Sequence, residues 1–118
     1  MPAPTPLDVA TRSVQRLVKE EASYHKELDG QKARVEKIEA EIEAGTGDEN
    51  AEYVLKQEKT AQAETEAVFG PLRQKIADAA SKLEEQIALG ESEGLGEDAL
   101  VKAREMLAKG WEVVEKAE

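Results

Sequence analysis

The sequence predicts an all-α fold, an elongated antiparallel three-helix bundle with two long helices and a shorter third. Three observations carry this. Apolar residues recur at alternating steps of three and four from Val14 to Ile42, only short glycine-rich stretches separate the periodic segments, and the chain is 36% charged but 3% aromatic. Three-four spacing over that length is the period of a helix, and a strand would alternate every two residues. Many charges and few aromatics suit long solvated helices better than a thick core. Regular apolar spacing also separates the chain from disordered segments of similar charge.

Helix 1 is expected from Pro6 to Ala44. Thr5 can cap it, Pro6 suits the first helical position, and Asp8 places a carboxylate against the helix N-terminus. Residues 1–5, with three prolines, read as a flexible lead. The core-facing positions are Val14, Leu17, Glu21, Tyr24, Leu28, Gln31, Val35, Ile38 and Ile42, with Leu7 and Ala10 in phase upstream. At 1.5 Å per residue the helix is about 58 Å long, and Gly45-Thr46-Gly47-Asp48 ends it. Gly30, inside it, costs about 1 kcal/mol relative to Ala. Glu21 and Gln31 are polar on an apolar seam. Either the seam is partly open there and their stems snorkel, or they mark where the third helix leaves the groove and a partner enters.

Helix 2 is expected over about 49–89, capped by Thr46 with Glu49 or by Asp48. Its seam reads Val54, Glu58, Ala61, Thr65, Val68, Leu72, Ile76, Ala79, Leu83 and Ile87. Gly70-Pro71 predicts a kink, or else a break, because Pro71 has no N–H for the carbonyl of Ala67 and restricts the residue before it. Gly90 to Gly96 reads as the second turn. Helix 3 follows over about 97–117, opened by Glu97 and Asp98 and carrying Leu100, Ala103, Leu107, Gly110 and Val114, with Met106 and Trp111 alongside. Short turns make sequential helices antiparallel neighbours.

A formal charge of −10 without a compensating basic cluster argues against nucleic acid or an anionic membrane as partner. Without cysteine there is neither a disulfide framework nor a thiolate metal site. No signal-peptide pattern or membrane-length apolar run is present, so the cytoplasm is expected. His25 and Asp29, four apart, share a helical face, but a metal site needs three or four ligands. Neighbouring glutamates such as Glu20 and Glu21, or Glu84 and Glu85, point about 100° apart on a helix and supply no pocket or nucleophile. The glycines match no phosphate loop. An enzyme is therefore not expected, nor a cofactor. Residues 8–44 hold nine acids against seven bases, the most balanced third of the chain.

The run from Val14 to Glu27, with Arg16-Leu17-Val18-Lys19-Glu20, Tyr24 and Lys26-Glu27, resembles the start of the tubulin-binding cofactor A family. Pro71 inside the second long helix, followed by Arg73 and a stretch ending Leu83 to Ile87, extends the likeness over most of residues 9–89. The chain departs from the family in having Val68-Phe69-Gly70 before the proline, where the family commonly has Met and Ile. The resemblance implies a chaperone that takes β-tubulin after its release from the cytosolic chaperonin and holds it until another cofactor joins it to α-tubulin. It also implies a monomer that needs no nucleotide or metal, works in the cytoplasm with microtubule association, and meets other tubulin-folding cofactors indirectly. The family binds through its helical sides. The implied contact residues are Arg16, Lys19, Glu20, Tyr24 and Lys26 on helix 1, with Phe69, Pro71 and Arg73 as a second edge.

A different reading is a structural coiled-coil adaptor that dimerises through the helix 1 seam. A prefoldin-like subunit would need β-hairpins beside its helices, and the turns have no strand-like flanks. The seam is testable in either case. Leu28→Ala is expected to cost about 2–5 kcal/mol in denaturant unfolding, and an unchanged midpoint would misplace the seam.

Overall fold

The computed structural model describes residues 3–116, so Met1, Pro2 and the expected end of the third helix at residue 117 lie outside the described residues. Its elements are α1 (Pro6–Ala44), α2 (Ala51–Glu66), α3 (Phe69–Glu93) and α4 (Glu97–Glu115), with no strand among the described residues. α2 and α3 are the two arms of one bent helix, so the described residues form three helices.

α1 starts as its sequence dictates. The Thr5 hydroxyl accepts the Asp8 N–H at 3.1 Å, and the Asp8 carboxylate accepts the Thr5 N–H at 3.2 Å. This reciprocal pair satisfies two of the donors a helix N-terminus leaves open. At the far end Gly45 takes φ 75°, and the N–H groups of Gly45 and Thr46 donate to the carbonyls of Ile42 and Glu41. A left-handed residue just past a helix, with that crossed pair of bonds, is a Schellman stop.

The bend falls at Ala67 and Val68, upstream of Gly70-Pro71. Ala67 owns the carbonyl that Pro71 cannot serve, and there the ladder tightens, with the Val68 N–H donating to Thr65 O at 3.0 Å. Pro71 thereby becomes the third residue of α3, in a first turn whose N–H groups need no intrahelical partner. Gly70, expected to resist helical geometry before proline, is helical.

Three sequence expectations are corrected here. α2 begins at Ala51 with Asn50 at its N-cap and no side-chain cap, so neither Thr46 nor Asp48 caps it; the Asp48 carboxylate accepts the Asn50 N–H instead, at 2.8 Å. α3 runs on to Glu93, past the expected end near residue 89, because Gly94 at φ 71° makes the stop, with Leu95 N–H on Gly90 O. Gly90 is helical and is small for packing reasons, since a Cβ there would lie 3.1 Å from Leu95 and 3.3 Å from Leu100. Val54, placed on the second seam, is 37% exposed.

The chain packs as two compact units, Met1–Glu21 with Gly70–Glu118, and Ala22–Phe69. The first holds a continuous core of Leu7, Val14, Ala79, Leu83, Ile87, Leu100, Ala103 and Met106, joined by half-buried Leu17, Leu95 and Leu107. α4 comes close to α1 and α3 at Gly110, where a Cβ would stand 3.0 Å from Val14 Cγ1 and 3.8 Å from Ala80 and Ile76. Arg104 ties the turn before α4 together, donating to Glu91 at 2.7 Å and Glu97 at 3.3 Å. Its guanidinium is held above the ordinary arginine range, chiefly by the Glu91 bond. Being exposed, the pair adds little stability.

The second unit is a helical hairpin of thinner core, burying Leu28, Gln31, Val35, Thr65 and Phe69. Contacts recur along α1: Tyr24 meets Phe69, Arg34 meets Glu58, and Ile42 lies near Ala51 across Gly47. Lys59 to Glu39, at 3.1 Å, adds a second cross-hairpin ion pair.

Gly110→Val is expected to destabilise the chain by about 1–3 kcal/mol through overpacking. Val14→Ala in the same chain should recover part of that loss in a double-mutant cycle, and additive losses would contradict the close approach.

Candidate functional site: helix faces of the two units

In the first unit Arg16, Lys19 and Glu20 are exposed on α1. Positions three and four apart share one side of a helix, and Arg16 and Lys19 turn away from the buried Val14. Exposed Arg12, four residues before Arg16, extends this stripe and went unnoticed in the sequence reading. The signal was available, since Arg12, Arg16 and Lys19 stand with no acid between Asp8 and Glu20. In a chain of charge −10, such a stripe is the place where an acidic partner meets least repulsion. On α3, Pro71 is exposed and Arg73 half-buried.

In the second unit Lys26 is exposed, Tyr24 is half-buried, and Phe69 is 5% exposed. The Phe69 ring is met edge-on by Tyr24, with centroids 6.5 Å apart and planes at 81°, and is covered by His25, stacked at 4.4 Å and 27°. Edge-to-face and offset-stacked rings are the favoured aromatic arrangements. Phe69 is thus a support, and the groups at the surface are Tyr24 and His25. The sequence sets His25 only on a helical face with Asp29. Only the fold brings Phe69 beneath it.

The two polar seam residues are covered. Glu21 is 7% exposed and Gln31 4% exposed, so the seam is not open at either. Lys116, the C-cap of α4, lies close enough to Glu21 to feel its charge, although the hydrogen bond with Glu112 does most to raise the Lys116 ammonium above its ordinary range. Glu112 is correspondingly held low by the same bond. Gln31 differs, for its buried Oε1 has no hydrogen-bond partner among the described residues.

Among the described residues no group of three His, Asp or Glu side chains is arranged to hold a metal ion. No helix among them is long and apolar enough to cross a membrane.

The profile of one protein family, described as Tubulin binding cofactor A, matches residues 2–107 of the 118. The chain belongs to the tubulin-binding cofactor A family. That family comprises chaperone-type cofactors of tubulin folding and is not known as an enzyme family. A search of curated proteins and a search of solved structures each returned no match. The adaptor reading gains no support, since Val14, Leu28 and Val35 of the proposed dimer seam are buried within the single chain.

An orphaned buried acceptor costs about 1–3 kcal/mol, so Gln31→Met is expected to stabilise the hairpin by an amount of that order. Native-state hydrogen exchange checks it: amides of residues 22–69 should slow, and unchanged or faster exchange there would mean that Gln31 is satisfied.

Proposed function

We propose that this cofactor A family member is a tubulin-folding chaperone that binds β-tubulin after its release from the cytosolic chaperonin. It holds the subunit for hand-over to a further cofactor in α/β-tubulin heterodimer assembly. The family match over residues 2–107 carries the reading. The cationic stripe on α1 supports it, because in a chain of charge −10 it is where an acidic client would meet least repulsion. A partner that binds a near-native subunit withdraws it from aggregation by mass action, so neither nucleotide nor metal enters the mechanism.

In this reading the three helices form an antiparallel bundle that acts as a monomer in the cytoplasm, with microtubule association through its client. The binding residues are Arg16, Lys19, Glu20, Tyr24 and Lys26 together with Phe69, Pro71 and Arg73. Arg16, Lys19 and Lys26 attract the client, and Tyr24 offers an apolar ring with a wet hydroxyl. Phe69 acts from beneath, fixing the Tyr24 ring.

A pull-down of purified β-tubulin tests both the activity and the surface. The native chain is expected to retain β-tubulin, and the combined Arg16→Glu, Lys19→Glu, Lys26→Glu variant to lose most of that capture while keeping its helical circular dichroism. Full capture by the folded triple variant would remove these cations from the site. No capture by the native chain would end the β-tubulin assignment.

A further inference from the structure

The turn between α1 and α2 holds a hydroxyl that the proposed function does not use. Thr46 is exposed, within the six residues from Gly45 to Asn50 that separate the helices. Its Oγ1 donates to Glu41 O at 3.3 Å, a long contact, and the same carbonyl already accepts the N–H groups of Thr46 at 2.9 Å and Gly47 at 3.1 Å. The hydroxyl is the third and weakest donor on one oxygen. The turn loses little when it is withdrawn.

The surrounding charge is one-sided. Between Lys37 and Lys56 stand Glu39, Glu41, Glu43, Asp48, Glu49 and Glu52, and no cation. Of these Glu39 is taken up by Lys59. Glu43, three residues before the hydroxyl, and Asp48 and Glu49, two and three after it, form no ion pair among the described residues. An enzyme that approaches this turn is selected by that field: a basic substrate cleft is attracted, and an acidic one repelled.

We propose that Thr46 is a phosphorylation site for a serine/threonine kinase of the acid-directed class, recognised through Asp48, Glu49 and Glu43. The kinase transfers the γ-phosphoryl group of Mg-ATP to Thr46 Oγ1. The new O–P bond forms as the bridge to the β-phosphate breaks, ADP leaves, and the hydroxyl proton passes to the kinase's catalytic carboxylate. Ser81 provides the internal contrast. It is exposed and has Glu84 and Glu85 after it, but it lies in the middle of α3 between buried Ala80 and Leu83. Extending it into a kinase cleft would unwind core helix, whereas at Thr46 only the capping bonds to Glu41 O at the end of α1 have to open. The charge spacing is shared and the accessible backbone is not.

The product has a structural consequence. A phosphate of about −1.5 to −2 charges at Thr46 sits at the carbonyl end of α1, where the helix dipole is negative, among carboxylates. It removes the hydroxyl donor and repels the Glu41 carbonyl, loosening the hairpin turn.

The test does not depend on tubulin binding. The full chain is incubated with Mg-ATP and, in parallel, an acid-directed and a base-directed serine/threonine kinase, and the sites are mapped by mass spectrometry. Phosphate is expected on Thr46 with the first enzyme alone, with none on Ser81. Thr46→Ala should abolish it, Thr46→Ser retain it, and Asp48→Lys with Glu49→Lys suppress it. Hydrogen exchange at Thr46 and Gly47 should quicken in the modified chain. Absence of phosphate from Thr46, equal modification of Ser81, or incorporation indifferent to the charge reversal would each overturn the assignment.

Discussion

A helix of 39 residues with an apolar strip along its length must find cover for all of it, and the rest of the structure answers to that demand. No single partner covers it. Up to Glu21 the strip belongs to a unit with α3 and α4, and from Ala22 it belongs to a hairpin with α2. The two units meet the demand with different means. The first has a continuous aliphatic core into which Gly110 lets α4 settle against Val14. The second buries a handful of residues, two of them polar, and supplements them with cross-hairpin ion pairs and an aromatic stack.

That division gives each unit its own surface. A thick core frees the outward side of α1 in the first unit to carry exposed Arg12, Arg16 and Lys19. In the hairpin, core and surface are less separable, because Tyr24 and His25 are at once the cover of Phe69 and part of the exposed face. A client that pulls on those rings acts on the packing beneath them. The buried Gln31 Oε1 in the same unit has no hydrogen-bond partner among the described residues, and such a group costs the packing around it stability.

Much of the candidate site was legible because helical spacing converts sequence into faces. Once α1 is helical, the exposure of Arg16, Lys19 and Lys26 follows from the burial of Val14 and Leu28. Phe69 was legible as a conspicuous residue beside Pro71 but not as a buried one, since nothing local records that Tyr24 and His25 lie over it. Glu21 and Gln31 looked like gaps in the seam for a similar reason. Charge and amide character argue for solvent, and only the folded chain shows that both positions are covered.

The sequence by itself determined the helices, their polar and apolar sides, the start at Thr5 and the stop at Gly45, because period, capping and left-handed glycine geometry act within a few residues. The bend was half determined, for the missing N–H of Pro71 names the carbonyl of Ala67 but not how the chain relieves it. Tertiary structure decided the rest. It packed Leu95 and Leu100 against Gly90, leaving little room for a side chain there, and it divided α1 between two cores. It also chose which rings cover Phe69, because contacts between residues some 45 apart depend on how the helices pair, and no local spacing encodes that.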